Sequence, residues 1–215
     1  MKHETDEEDL TAPEYASFVD QDEYRLSFGT GGLYVSESSQ LIQAFGELHD
    51  WAEVIESTVE KNLLQFKSTQ STRRAVREIC TRLKNLTPQE MGFFQTADPY
   101  DQSLICWLAC CRTYEFIGDF ATQVLLENFA SYKLDLDYAA FDFFCEEQAQ
   151  FHPELEDVTE STRKKLRQIL FRMMREAGIL SDDNRIIAGI ASQSLKDINE
   201  HGKRDLPFFV PGASL

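Results

Sequence analysis

With 215 residues, 42% of them hydrophobic, the chain is long enough to bury a substantial core. Its longest apolar run, Leu104 to Cys111, has eight residues against the roughly 20 of a membrane-spanning helix, and no apolar signal region follows Met1, so we expect a cytoplasmic protein without a membrane partner. The formal net charge of −16 argues against a nucleic-acid partner, since a polyanion repels an acidic protein at long range, unless the positive charges are concentrated locally.

The first 23 residues differ in composition from the rest of the chain. They hold nine Asp and Glu against one Lys, with few apolar residues, and burial in such a segment cannot offset the entropy of ordering it. We therefore expect residues 1–23 to form an acidic, disordered arm. The stretch from Tyr24 to Val35 contains Gly-Thr-Gly-Gly, which predicts a turn ahead of a helix that starts near Ser36 to Ser38. It lacks the Gly-Lys-Ser/Thr end of a P-loop.

From there on, apolar residues recur at three- and four-residue steps, the periodicity of amphipathic helices. Asp50 is suited to an N-cap, Asp137 or a neighbour to the start of another helix, and Gly178 to a C-cap. The predicted helices lie from Asp50 to near Phe66, from Ser71 to before Thr87, between Leu104 and Phe129 as one or two helices, from Asp137 or a neighbour to near His152, and from Ser161, after a loop from Glu154 to Glu160, to near Gly178.

These segments predict an all-α protein with two helix-turn-helix-like units, because each of two basic helices follows another amphipathic helix after a short turn. In the tail, Ile186-Ile187 are compatible with a short strand or wing, and Leu206 to Pro211 predict an apolar end docked on the body. The predicted divisions are the arm (1–23), an N-terminal helical region with the first unit (24–90), central core helices (91–136), the second unit (137–180) and the C-terminal tail (181–215).

A basic pattern occurs twice, 90 residues apart. The first copy runs from Ser71 to Leu83 and the second from Ser161 to Met173, and six of the 13 aligned positions are identical. Residues 67–84 and residues 163–176 each carry six basic side chains against one acidic, so 12 of the 21 Lys and Arg lie in these two segments. This distribution predicts a local positive surface on a negative body, which is suited to a polyanion.

On a 3.6-residue helix, the apolar positions of each copy form one stripe and the basic positions lie outside it. The predicted buried stripes are Val76, Ile79, Cys80 and Leu83 in the first copy and Leu166, Ile169, Leu170 and Met173 in the second. Arg73 and Arg77 lie on one flank at i,i+4, as Arg163 and Arg167 do. A later matched pair, Arg82 and Arg172, is compatible with a structural role, since a cation suits a helix C-terminus.

Cations near a helix start conflict with the macrodipole, which favours anions there. Serine and threonine hydroxyls at these starts can cap the helices or donate to a phosphate oxygen, and a bound phosphate would resolve the conflict. The candidate nucleic-acid-binding residues are Lys67, Ser68, Thr69, Ser71, Thr72, Arg73, Arg74 and Arg77, together with Ser161, Thr162, Arg163, Lys164, Lys165 and Arg167. The simpler alternative is a solvated basic face, balanced by the acidic surface of the same protein.

The sequence contains no recognisable catalytic or metal-binding pattern. Its five cysteines have neither C-x-x-C nor zinc spacing, and their apolar surroundings predict buried, reduced thiols. The four histidines are scattered, and Glu146-Glu147 lies on an amphipathic helix where a solvated face is the ordinary explanation. We therefore expect a non-enzymatic protein without a cofactor, a metal or a small-molecule substrate.

The chain also resembles the BrxA proteins of BREX phage-defence systems. The resemblance rests on the order and spacing of several short segments: Leu-Ser-Phe-Gly-Thr-Gly-Gly-Leu-Tyr-Val-Ser-Glu-Ser at 26–38, Asp50-Trp51, Asn62 to Gln65, Ser71 to Arg74, Trp107 to Arg112, Phe151 to Leu155, Glu160 to Lys165 and Glu176 to Leu180. It implies a small, all-helical, non-enzymatic cytoplasmic protein that binds double-stranded DNA through helix-turn-helix units and works beside the system's methyltransferase and other components. The acidic arm departs from the family pattern.

Three functions follow from these observations. The first is a double-stranded DNA-binding accessory protein that contacts phosphates, with weak sequence specificity and a steep salt dependence. The second is an adaptor whose basic helices meet an acidic partner protein. RNA binding is a variant of the first, without an aromatic stacking motif to favour it. The acidic arm, by its opposite charge, is expected to compete with DNA for the basic helices.

Overall fold

The computed structural model describes residues 24, 26–199 and 202–209, so the arm predicted for residues 1–23 lies outside the described residues. The described part is mostly helical and contains no β-sheet, which confirms the predicted all-α class. The α-helices are α1 (Val35–Leu48), α2 (Trp51–Glu60), α3 (Thr69–Leu83), α4 (Pro88–Phe94), α5 (Pro99–Thr113), α6 (Glu115–Asp119), α7 (Glu127–Ala130), α8 (Tyr138–Gln148), α9 (Glu160–Glu176), α10 (Gln193–Ile198) and α11 (Gly202–Asp205). A π-helical segment, Phe120–Leu126, joins α6 to α7, and 3₁₀ turns cover Pro153–Leu155 and Leu206–Phe209.

Local side-chain chemistry sets several helix boundaries where the sequence predicts them. The Asp50 carboxylate accepts hydrogen bonds from the backbone N–H groups of Ala52 and Glu53. The Asp137 carboxylate accepts one from the backbone N–H of Ala140. Gly178 follows the end of α9 with φ of 72°, the left-handed conformation that a C-terminal glycine supplies at low steric cost.

Some observed boundaries differ from the predicted ones. Helix α2 ends at Glu60 instead of near Phe66, because Asn62 and Gln65 adopt left-handed conformations with φ of 47° and 53°. Helix α8 stops at Gln148, ahead of the predicted end near His152. Helix α1 begins at Val35, one residue before the predicted start, after a left-handed Tyr34 that makes no side-chain cap.

The predicted wing is reduced, within the described range, to isolated antiparallel bridges. One joins Leu180 to Ile186, and another joins Asp135 to Arg185. The apolar end docks on the body as predicted over Leu206–Phe209, where the Trp107 indole N–H donates to the Phe208 carbonyl at 2.8 Å and Phe209 is buried. Residues 210–211 of that predicted segment lie outside the described residues.

Helix α5 lies at the centre of the core and packs against α1, α3, α4, α6 and α9. Its residues Leu104 to Cys111 are all buried, and aromatic rings from α6, the π-helical segment and α8 pack beside them. The five cysteines are buried and free, as predicted, and burial raises the pKa values of Cys80, Cys106 and Cys145 to about 12, so these thiols stay protonated members of the core. None of the helices in the described part of the chain is both long and apolar enough to span a lipid bilayer.

Candidate nucleic-acid interface

The first basic copy forms α3, which is packed on one side and exposed on the other. Its predicted apolar stripe is buried, with Val76, Ile79, Cys80 and Leu83 each no more than 1% exposed. The Ser68 hydroxyl caps the helix by accepting from the Ser71 backbone N–H at 3.2 Å. Helices α1, α2 and α5 all pack against α3, which explains why this side is closed.

The second basic copy forms α9, which packs on α5 and α8. Leu166, Leu170 and Met173 of its predicted stripe are buried, and Ile169 is partly buried. The Thr159 hydroxyl caps the helix by accepting from the Thr162 backbone N–H at 3.3 Å.

The N-caps are therefore not the residues that the sequence pattern predicted. Ser71, Thr72, Ser161 and Thr162 lie inside the helices, and the two actual caps occupy positions that differ by one residue in the repeat. Thr72 is 1% exposed, and its hydroxyl donates to the Ser68 carbonyl at 3.0 Å, so this candidate site residue belongs to the interior and not to the surface.

The cations also begin further into the helices than predicted. Arg73 is the fifth residue of α3, and Arg163 is the fourth residue of α9. The first turn of α9 contains Glu160, which satisfies the positive end of the macrodipole, whereas the first turn of α3 contains no acidic side chain. A conflict that an external anion would resolve is therefore absent from the start of α9.

Arg73, Arg74 and Arg77 of α3 are exposed, and none of them forms an ion pair with another described residue. They line a shallow groove of about 630 Å³ together with Thr69, Gln70, Glu78 and Thr81. Most of the other first-copy candidates are exposed close by: Lys67, Ser68, Thr69 and Ser71. The N-terminal half of α3 therefore presents a cluster of exposed cations that form no ion pair with the described residues.

The matching arginines of α9 are engaged by α8. Arg163 lies 3.8 Å from a carboxylate oxygen of Glu146, and Arg167 pairs with Asp142 while its guanidinium lies 4.8 Å from the centre of the Tyr138 ring. The side chain of Arg167 is only 18% exposed. Lys164, Lys165, Ser161 and Thr162 are exposed. The structure thus separates two clusters that the sequence pattern treats as equivalent.

Arg82 and Arg172, the late pair of the repeat, also differ, but here the residue of the first copy is the buried one. Arg82 is 3% exposed, pairs with Glu78 at 2.7 Å and donates to the Gly32 carbonyl at 2.7 Å, and Tyr114 donates to the same Glu78 carboxylate. Arg172 is exposed and pairs with Glu176 one turn later. The structural role suggested for Arg82 is therefore confirmed.

A single peptide group connects the ends of the two basic helices. The carbonyl of Gly32 accepts from Arg82, and the N–H of Leu33, in the same peptide bond, donates to Glu176 at 2.6 Å. A Cβ atom on Gly32 would lie 2.1 Å from the Glu176 carboxylate, so a larger residue there would displace this side chain from its hydrogen bond with Leu33. The Gly-Thr-Gly-Gly stretch, predicted as a turn, is the link between the repeats.

Sequence reasoning missed the residues that distinguish the two copies. Asp142 and Glu146 neutralise the second copy from another helix, and only their i,i+4 spacing on an amphipathic segment signals that they could face an arginine pair. Glu78 lies within the first copy itself, one turn before Arg82, and its spacing was a usable signal.

Comparison with known proteins assigns the chain to a family. The BrxA family model matches residues 22–202, which is most of the sequence. The chain belongs to the BrxA family. A similar relative is the BREX protein BrxA of Paramagnetospirillum magneticum (strain ATCC 700264 / AMB-1), with 23% identity over 187 residues that cover 82% of this chain and 92% of that BrxA protein.

The fold is also that of a solved protein. A crystal structure of an uncharacterised protein from Magnetospirillum magneticum superimposes with a TM-score of 0.72 and 21% identity, covering 87% of this chain and 97% of that chain. At this identity the likeness concerns the fold alone. The described helices of this BrxA-family chain therefore follow an architecture already seen in a crystal.

Proposed function

We propose that the chain is a non-enzymatic accessory protein of a BREX phage-defence system that binds double-stranded DNA through the N-terminal half of α3. Membership of the BrxA family supports the role in phage defence. The observation that carries DNA binding is the set of three exposed arginines, Arg73, Arg74 and Arg77, without an acidic partner among the described residues, on a protein with a net charge of −16. An acidic protein gains little stability by leaving such a cluster in contact with water alone. When a polyanion binds the cluster, the counterions condensed on its phosphates are released, which favours binding.

In this proposal, α3 is the principal contact and its neighbours assist. Lys67 adds charge, and the Thr69 hydroxyl lines the same groove as the arginines, where it can donate to a phosphate oxygen. The Ser71 hydroxyl already donates to the Ser68 carbonyl at 2.8 Å. On α9, only Lys164 and Lys165 are free to add phosphate contacts, because Arg163 and Arg167 are held by α8. Phosphate contacts position a protein without reading sequence, so weak sequence specificity is expected.

The test replaces Arg73, Arg74 and Arg77 with Gln and measures duplex binding by fluorescence anisotropy at several salt concentrations. Each lost phosphate contact lowers the slope of log K against log salt by about 0.9, so three losses lower it by about 2.7. The unmodified protein should then lose about 40-fold more affinity than the variant between about 50 and 200 mM salt. An unchanged slope would remove α3 from the interface.

Two matched variants control this experiment. Arg163→Gln/Arg167→Gln changes aligned positions of the repeat whose charges are already paired, so the slope should stay nearly constant. Thr72→Val removes a buried hydroxyl, which should cost about 1 kcal/mol of stability and leave the salt slope unaltered. A single-stranded RNA of equal length tests the RNA alternative, which predicts that it binds as well as the duplex.

A second candidate is an adaptor that binds an acidic helix of a partner protein. The contact of α9 with Asp142 and Glu146 favours it, because the same arginine spacing in this chain already accepts an acidic helix. Under this alternative, capture of another BREX protein would survive nuclease treatment and be lost in the α3 triple variant. Under the leading proposal, the purified chain binds duplex DNA in the absence of any other protein.

A further inference from the structure

The internal repeat is larger than the basic motif, since it includes the helix that precedes each copy. Glu56 and Glu60 on α2 match Asp142 and Glu146 on α8 at an offset of 86 residues, four fewer than the offset of the basic motif, and each pair has i,i+4 spacing. Next to each second acid is a small, nearly buried side chain, Val59 at 9% and Cys145 at 7% exposed. The α2–α3 pair and the α8–α9 pair are therefore two versions of one helical hairpin.

The second hairpin shows what the acidic pair does when the hairpin is closed. The earlier acid, Asp142, meets the later arginine, Arg167, and the later acid, Glu146, meets the earlier arginine, Arg163. This crossed pairing is expected for two helices that run in opposite directions. In the first hairpin, the same pairing would join Glu56 to Arg77 and Glu60 to Arg73.

The first hairpin places these four side chains around one groove but does not close it. The groove has a volume of about 520 Å³ and is lined by Ala52, Ile55, Glu56, Val59, Glu60, Arg73 and Arg77. In the second hairpin, a pocket between α8 and α9, lined in part by Phe141, Cys145 and Arg163, measures only about 10 Å³. Leu26, Leu155 and Val158 from outside the two helices also line it, and the chain from Glu146 to Arg163 is longer than that from Glu60 to Arg73.

We infer that Glu56 and Glu60 act as internal counter-ions that compete with nucleic-acid phosphates for Arg73 and Arg77 and thereby set the affinity of the α3 site. The inference rests on the proposed function. Arg73 and Arg77 border both the groove with the two acids and the groove with Arg74 on the other side of α3. Their long side chains reach either side, so phosphate binding and internal pairing exclude each other.

The two other charged groups near this site do not take part in the competition. Glu78 lines the groove of Arg74, but its carboxylate is already engaged by Arg82 and Tyr114. Arg74 lines only that groove, away from Glu56 and Glu60. Its charge is therefore available to a phosphate whether or not Arg73 and Arg77 pair with the two acids. The site is therefore weakened by the acids but retains a permanent cation.

The expected size of the effect follows from the exposure of the two acids. Exposed ion pairs stabilise by up to about a factor of five each, and many by less. Freeing both arginines should then tighten duplex binding by about 2- to 25-fold at low salt. It should also steepen the salt slope by up to about 1.8, because two more counterions are released on binding.

The experiment measures duplex affinity and salt slope for Glu56→Gln/Glu60→Gln in the full chain. The matched control is Glu127→Gln/Glu147→Gln, which removes the same charge from exposed positions on α7 and α8, helices that pack elsewhere. The inference predicts tighter binding for the first variant than for the control. It also predicts that this difference disappears when Arg73 and Arg77 are already Gln.

Three results would overturn the inference. Equal affinities of the two acid variants, with binding still lost in the α3 triple variant, would refute it and leave the proposed function intact. A tightening that persists without Arg73 and Arg77 would assign the effect to the general field of the protein. Absence of duplex binding in every variant would remove the proposed function and this inference with it.

Discussion

Replacing Arg82 tests whether the late arginine of the first copy is structural. We consider Arg82→Met, which keeps the apolar stem of the side chain and removes its charge and donors. The Glu78 carboxylate, 12% exposed, would lose its cation, and the Gly32 carbonyl would lose the donor that lies 2.7 Å away. Arg172→Met is the matched control, since the same change at the aligned position removes an exposed pair.

The structure sets different magnitudes for the two variants. Breaking a buried ion pair by removing one partner costs about 3 to 5 kcal/mol, because the other charge remains without compensation. In a protein of this size, such a loss lowers Tm by about 6 to 20 °C. The pair of Arg172 with Glu176 is exposed, with 63% of the arginine side chain accessible, so its loss should cost less than about 1 kcal/mol.

Thermal and urea unfolding, followed by far-ultraviolet circular dichroism, measure both variants. Adding Glu78→Gln to Arg82→Met should restore part of the stability, because it removes the uncompensated carboxylate. Equal Tm values for the two single variants would refute the assignment of Arg82 to a buried network. A double variant less stable than Arg82→Met would show that the cost does not come from the uncompensated charge of Glu78.

The other predictions concern pH and the acidic segment. Burial raises the pKa of the Asp119 carboxyl, so its contribution to stability is present at acidic pH and is lost as the pH rises through the raised pKa. Asp119→Asn should therefore lose less stability than the unmodified protein between acidic and neutral pH in urea unfolding, and an equal loss would contradict this. Deleting residues 1–20 removes seven acidic side chains and should tighten duplex binding at low salt in the anisotropy assay, whereas unchanged affinity would show that the segment does not compete with DNA.

Features controlled by local chemistry were predictable from the sequence. The caps at Asp50 and Asp137 and the turn at Gly178 need only a few neighbouring residues, and they occur where predicted. The apolar stripe of α3 is another such feature, because periodicity alone decides which side a helix buries. The all-α class follows from the same signal.

Features controlled by packing between distant segments were not predictable in this way. Arg167 looks like Arg77 in sequence, and only the placement of Asp142, 25 residues away, shows that its charge is neutralised. From the sequence pattern, Thr72 was expected to be an exposed polar residue. It is buried, because α2 and the segment that joins α2 to α3 pack against it. The candidate site is therefore smaller than the sequence pattern, since one copy keeps free arginines and the other does not.

The Gly32–Leu33 peptide group has a consequence for how the two hairpins move. Its carbonyl and its N–H point to opposite hairpins, so a hydrogen bond on one side polarises the amide and strengthens the bond on the other. If the end of α3 or of α9 rotated far enough to break its hydrogen bond, the carbonyl or the N–H of this amide would lose its partner. The end of α3 and the end of α9 therefore hold the same peptide group, and a displacement of either end disturbs a group that the other end also binds.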